Sequence, residues 1–187
     1  LNTTEPIFSY GITAHPPPLC KVDFDIDENT THAWFKRYIQ GIGRAFDATG
    51  RFYLTSQERK TFDAMEVTYG VREATIRSKE AIEYQSEDDS CAVFAVAVAV
   101  LPHEMTSARH ATTGQRSNTR TQMTHELRIR KSADEPGKAE KCFKDFKESA
   151  KQRTRASIAD TLTQSTECKT RCEQMAYCGK TDVQAQP

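Results

Sequence analysis

Hydrophobic positions recur at two different periods along this chain, and the change of period sets the elements it predicts. Over residues 31–46, Trp34, Phe35, Tyr38, Ile39, Ile42, Ala45 and Phe46 fall three and four positions apart, the spacing of an amphipathic helix. Thr30 or Thr31 is placed to cap its start, and the run ends at Gly50. Residues 51–55 read as a short strand, and Thr55-x-x-Glu58 as a capping box opening one or two helical turns. The period then falls to two. Met65, Val67, Tyr69 and Val71 alternate with Glu66, Thr68, Gly70 and Arg72, which predicts a half-buried strand, and residues 74–85 read as another.

The stretch Cys91–Leu101, CAVFAVAVAVL, contains no polar side chain. It falls well short of the roughly 20 apolar residues that cross a bilayer as a helix. Its β-branched content predicts a strand buried on both faces. Phe94, Val96, Val98 and Val100 make a bulky side, and Ala95, Ala97 and Ala99 a flat one on which the helix over 31–46 is expected to pack.

Beyond Pro102, the apolar-leaning row Thr119, Thr121, Met123, His125, Leu127, Ile129 alternates with Arg120, Gln122, Thr124, Glu126, Arg128, Arg130. This is a strand with a basic face, expected to pair with residues 104–112 as a hairpin. Ala139, Cys142, Phe143, Phe146 and Ala150 form a helical stripe. Residues 153–166 read as a marginal helix or a long loop, and Cys168 and Cys172 share one face of a helical segment. The organisation predicted is an extended Pro-rich arm over 1–20, one domain over 21–178 and a flexible tail over 179–187.

The expected fold class is therefore α+β. An antiparallel sheet of four or five strands is packed by an N-terminal aromatic helix and a C-terminal helical segment, and stapled by disulfides. This order resembles that of cystatin-like inhibitors, but their Gln-x-Val-x-Gly segment is missing, and no family is assigned.

Composition sharpens the compartment. Hydrophobic residues make up 37% of the 187 and the mean hydropathy is −0.69, so the core is thin and covalent support is expected. The six cysteines (Cys20, Cys91, Cys142, Cys168, Cys172, Cys178) are even in number and contain no Cys-x-x-Cys, which favours disulfides over a zinc ribbon or a redox pair. Asn2-Thr3-Thr4 and Asn29-Thr30-Thr31 are N-glycosylation triplets. Together these features predict a secreted or cell-surface glycoprotein.

Formal net charge is zero, yet residues 103–155 carry 13 Lys/Arg against 7 Asp/Glu. Arg109, Arg120, Arg128, Arg130 and Lys131 are the candidate binding residues, for a protein partner that is acidic or glycan-bearing. Nucleic acid is disfavoured because no aromatics interleave with the basic residues. No transmembrane segment and no cofactor are expected, and no nucleophile elbow, phosphate loop or metal-ligand cluster is present. The leading expectation is a protein-binding recognition module such as a surface antigen. Two alternatives remain. One is a small nuclease-like hydrolase using His110 and His125, with Glu126 beside them. The other is a carrier holding a small apolar ligand against Trp34, Tyr38 and Phe46.

Overall fold

In the computed structural model of the chain, the residues described are 3–13, 20–40, 42, 44–71, 74–102, 122–135, 137–150, 158–163 and 168–174. Among these residues nine strands appear in chain order: β1 (Ile7–Thr13), β2 (Lys21–Glu28), β3 (His32–Ile39), β4 (Ala45–Tyr53), β5 (Ala64–Val71), β6 (Ala74–Gln85), β7 (Cys91–Pro102), β8 (Gln122–Arg130) and β9 (Ile158–Thr163). Two helices accompany them, α1 (Lys138–Ala150) and α2 (Cys168–Gln174). Strands β1 to β8 pair antiparallel with their neighbours, and β1 pairs with both β8 and β2, so the sheet closes into an eight-stranded up-and-down barrel. Strand β9 lies outside the ring and pairs with β1 at Gly11 and Thr13, beyond the residues that β2 engages.

The expected open α+β sheet is thus replaced by a closed barrel, and the error begins at residues 31–46. That segment is β3, a turn and the start of β4, not a helix. Ala33, Phe35 and Arg37 face the barrel interior, while Trp34 and Lys36 face out and Trp34 is 43% exposed. A charged residue on the inner face hid the alternation, and Tyr38, buried on the outer face, completed a false helical spacing. The capping box does not form either. The Thr55 backbone N–H and hydroxyl both donate to the Asp63 carboxylate, which ties down the β4–β5 loop. The Pro-rich arm contains β1, an integral barrel strand, and residues 153–166 contain β9.

Strand β7 is the expected strand, but its two faces are covered unequally. Phe94 and Val96 point into the barrel and are buried. On the outer side Val93 is buried and Ala95, Ala97 and Ala99 are half-buried; on the inner side, at the far end of the strand, Val100 is 52% exposed. Among the described residues a helix covers only the first part, and that helix is α1. Its predicted stripe of Ala139, Cys142, Phe143 and Phe146 packs on the outer wall with Phe8, Tyr10, Val93, Leu127 and Ile129. Each large side chain so buried contributes about 1.5–3 kcal/mol.

Disulfides pin both helices to the wall. Cys91–Cys142 ties the start of β7 to α1, and Cys20–Cys168 ties the start of β2 to α2; Cys172 is disulfide-bonded as well. Cys178 lies outside the described residues. No helix among the described residues is long and apolar enough to cross a membrane.

Candidate functional site: a cavity floored by buried ion pairs

The barrel wall turns polar side chains inward at mid-height. Register places Lys21 beside Ser9, Asp23 beside Ile7 and Arg37, and Arg128 beside Ser9 and Ala92, all on the inner face. Glu80 and Glu126 enter from β6 and β8. Six ionised groups, three of each sign, therefore share the interior, and each is almost fully buried.

Isolated charges there would cost many kcal/mol, so each must be paired and hydrogen-bonded. The Arg37 guanidinium donates through Nε and Nη2 to the two oxygens of Asp23, at 2.7 and 2.8 Å. It also donates through Nη1 and Nη2 to Glu80, at 2.7 and 3.3 Å. Ser78 adds a hydroxyl donor to Glu80 at 2.7 Å. Arg128 Nη2 lies 2.6 Å from Glu80 Oε2 and 2.9 Å from Glu126 Oε2, and Lys21 pairs with the same Glu126 oxygen. The Arg128 guanidinium carbon sits 4.2 Å from the centroid of the Phe94 ring, a cation–π contact.

Burial opposes ionisation of Glu80, but Arg128, Arg37 and Lys21 outweigh it and hold its carboxyl well below the usual glutamate range. Burial likewise opposes the charge on Glu126, and Lys21 and Arg128 overcome it, keeping that carboxyl low. Arg37 is held well above its ordinary value: desolvation works against it, and Asp23 and Glu80 prevail. Lys21 goes the other way. Desolvation and the neighbouring Arg128 lower it more than Glu126 raises it.

Above this layer the barrel opens into a cavity of about 570 Å³, within the size range of small-ligand sites. Its wall is apolar: Ile7, Ile26, Ala33, Phe35, Phe52, Met65, Ile82 and Phe94. Asp23, Glu80 and Arg128 are its floor, and Glu28, Asn29, Thr30, Thr61 and Phe62 stand at its mouth. Two backbone features shape it. Asp25 adopts φ 50° where the β2–β3 register shifts, and beyond that bulge Ile26 reaches the cavity. At Gly50 a Cβ would lie 2.1 Å from Met65 Sδ, so the missing side chain is what lets Met65 lie against the wall.

The floor retains bonding capacity. Arg128 uses Nε and Nη2, leaving Nη1 without a hydrogen-bond partner among the described residues. Each Asp23 oxygen accepts one bond from Arg37, leaving each a second lone pair. Ser9 Oγ, buried in register with Lys21 and Arg128, also has no hydrogen-bond partner among the described residues.

The residues singled out in the sequence do not converge on one surface. Arg128 is in the cavity floor, 3% exposed. Arg130 Nε donates to the Asp89 carbonyl at 2.9 Å, and the half-buried Lys131 begins the turn after β8. Arg109, Arg120 and His110 lie outside the described residues, as does Asn2. His125 faces outward from β8, is 3% exposed, and has Nε2 3.2 Å from Glu83 Oε2. Glu126, its neighbour, faces the opposite way into the barrel. Of the aromatic trio, Phe46 is on the inner wall, Tyr38 is buried on the outer face and Trp34 is on the outside. Phe35, Phe52, Met65, Asp23, Arg37 and Glu80 went unseen as site residues. Their trace in the sequence is a polar residue set into an apolar period-two row, as in Ile76-x-Ser78-x-Glu80-x-Ile82.

Compared with known proteins, the chain matches no protein-family model, and no curated protein shows significant sequence similarity to it.

Proposed function

We propose that this protein is a carrier that captures one small, mainly apolar molecule inside its barrel. The observation that carries the reading is the cavity of about 570 Å³, apolar on its walls and closed below by an ion-paired floor. Eight strands enclose an interior just wide enough to be filled by side chains or to hold one small ligand. The inward Ala33, Ala48 and Gly50 keep part of this interior free of bulk.

The floor selects the polar end. Arg128 Nη1 offers N–H groups to a carbonyl, hydroxyl or carboxylate oxygen of the ligand, and Asp23 offers lone pairs to a donor beside it. Because the ion pairs are already satisfied among themselves, the floor is rigid before the ligand arrives, and little ordering is required on binding. The sequons and disulfides support work outside the cell, where a carrier meets diffusible ligands. Ligand capture is favoured over a protein-binding module because Arg128, central to the proposed basic face, is inside the barrel.

Titration with N-phenyl-1-naphthylamine, whose fluorescence rises in apolar surroundings, tests the reading. Saturation at one probe per chain is expected; the absence of saturable binding would refute it.

A further inference from the structure

The β2–β3 hairpin that rims the cavity carries the triplet Asn29-Thr30-Thr31. Asn29 is exposed, and its side-chain oxygen is fully committed to the turn. Oδ1 accepts from the backbone N–H groups of Thr31 and His32, both at 2.8 Å, and from the Thr31 hydroxyl at 3.2 Å. Its Nδ2 has no hydrogen-bond partner among the described residues. The turn therefore uses one end of the amide and leaves the nitrogen open to solvent. Glu28, Asn29 and Thr30 all line the mouth of the cavity, so any group attached to that nitrogen stands at the entrance.

We propose that Asn29 carries an N-linked glycan that stands at the mouth of the barrel and slows ligand entry and exit. The modification forms a bond from Nδ2 to the anomeric carbon of a lipid-linked oligosaccharide diphosphate. The bond from that carbon to the diphosphate oxygen breaks, the lipid diphosphate leaves, and the amide proton passes to a base of the transferase. The hydroxyl of Thr31, two residues on, is the element that the transferase requires. A barrier at the entrance raises the energy of passage without touching the bound state. Both rate constants then fall by the same factor and the equilibrium affinity stays put. This second part rests on the carrier reading above.

Two substitutions separate the sugar from the turn. Thr31→Ser keeps the hydroxyl and the triplet, whereas Thr31→Ala removes the triplet but keeps Asn29 and both backbone donors to its oxygen. The full chain and both variants are to be secreted from cultured animal cells. The tryptic peptide spanning residues 22–36, which holds no other triplet, is then weighed before and after peptide-N-glycosidase treatment. A glycan mass is expected on the wild type and Thr31→Ser and not on Thr31→Ala; an unmodified wild-type peptide overturns the proposal. Stopped-flow mixing with N-phenyl-1-naphthylamine should show faster association and faster dissociation for Thr31→Ala than for Thr31→Ser, by one common factor. Equal rates in the two variants overturn the barrier while the peptide mass upholds the modification. Loss of probe binding in both overturns the carrier reading, and the barrier with it.

Discussion

Arg37 and Glu80 stand 43 positions apart in the chain and meet inside the barrel, with Nη1 2.7 Å from Oε1. Strands β4 and β5 lie between β3 and β6 in the sheet, so this contact crosses the interior instead of running along the wall. It is the clearest sign that the polar layer spans the barrel as a floor.

Removing one partner should be costly. Arg37→Met leaves Asp23 without its guanidinium and strips Glu80 of one of its two, in surroundings that cannot hydrate them. A loss of about 3–5 kcal/mol is expected, the usual range for breaking a buried ion pair from one side. Denaturant unfolding monitored by circular dichroism measures it. A loss within experimental error of zero would mean that water reaches the floor freely.

The same layer sets the pH response. Glu80 and Glu126 are held below the ordinary glutamate value of 4.5, so in acid the unfolded chain binds more protons than the folded one. Their contribution is complete above about 4.5 and is lost as pH falls through their folded values. Lys21 is lowered from 10.5, so in the alkaline range below that value the unfolded chain again binds more protons and stability again rises with pH. Melting temperature should therefore fall in acid, and Glu80→Gln should flatten that fall. An acid limb unchanged in Glu80→Gln would contradict the assignment.

How much of this was legible in the sequence depended on which way the polar residues point. Strands β5 and β7 and helix α1 were readable because their buried faces are apolar throughout, as in Met65, Val67 and Tyr69 or Phe143 and Phe146. Strands β2 and β3 were not, because Lys21, Asp23 and Arg37 occupy inward positions that the alternation rule reserves for apolar residues. Part of each outer face is buried as well. Val22, Phe24 and Tyr38 join the cluster with the disulfide-bonded helices. Closure was hidden for another reason. The pairing of β1 with both β8 and β2 depends on register between distant segments, and no local pattern encodes it.

The Gly50–Met65 contact governs the size of the cavity. Gly50→Ala places a methyl group where Met65 Sδ now lies and drives that side chain toward the cavity. Probe affinity should fall by about tenfold, corresponding to roughly 1.4 kcal/mol. The double variant Gly50→Ala, Met65→Ala should recover it. Failure of the second change to restore binding would show that Gly50 acts through the backbone.

Disulfide Cys91–Cys142 closes a loop spanning 51 positions and holds α1 on the outer wall, away from the cavity. Replacing both cysteines with serine should cost about 2–4 kcal/mol of stability and leave probe affinity near the wild-type value. Thermal unfolding and probe titration of the one variant check both. Loss of binding while the barrel remains folded would tie α1 to the site.

The most direct test of the central claim fills the cavity from within. Ala33 lines it and is 5% exposed, whereas Thr49 faces outward on the adjacent strand. Ala33→Trp should abolish saturable binding of N-phenyl-1-naphthylamine, and Thr49→Trp, an indole of the same size on the outer wall, should leave it intact. Undiminished binding in a folded Ala33→Trp variant would place the ligand elsewhere and contradict the account.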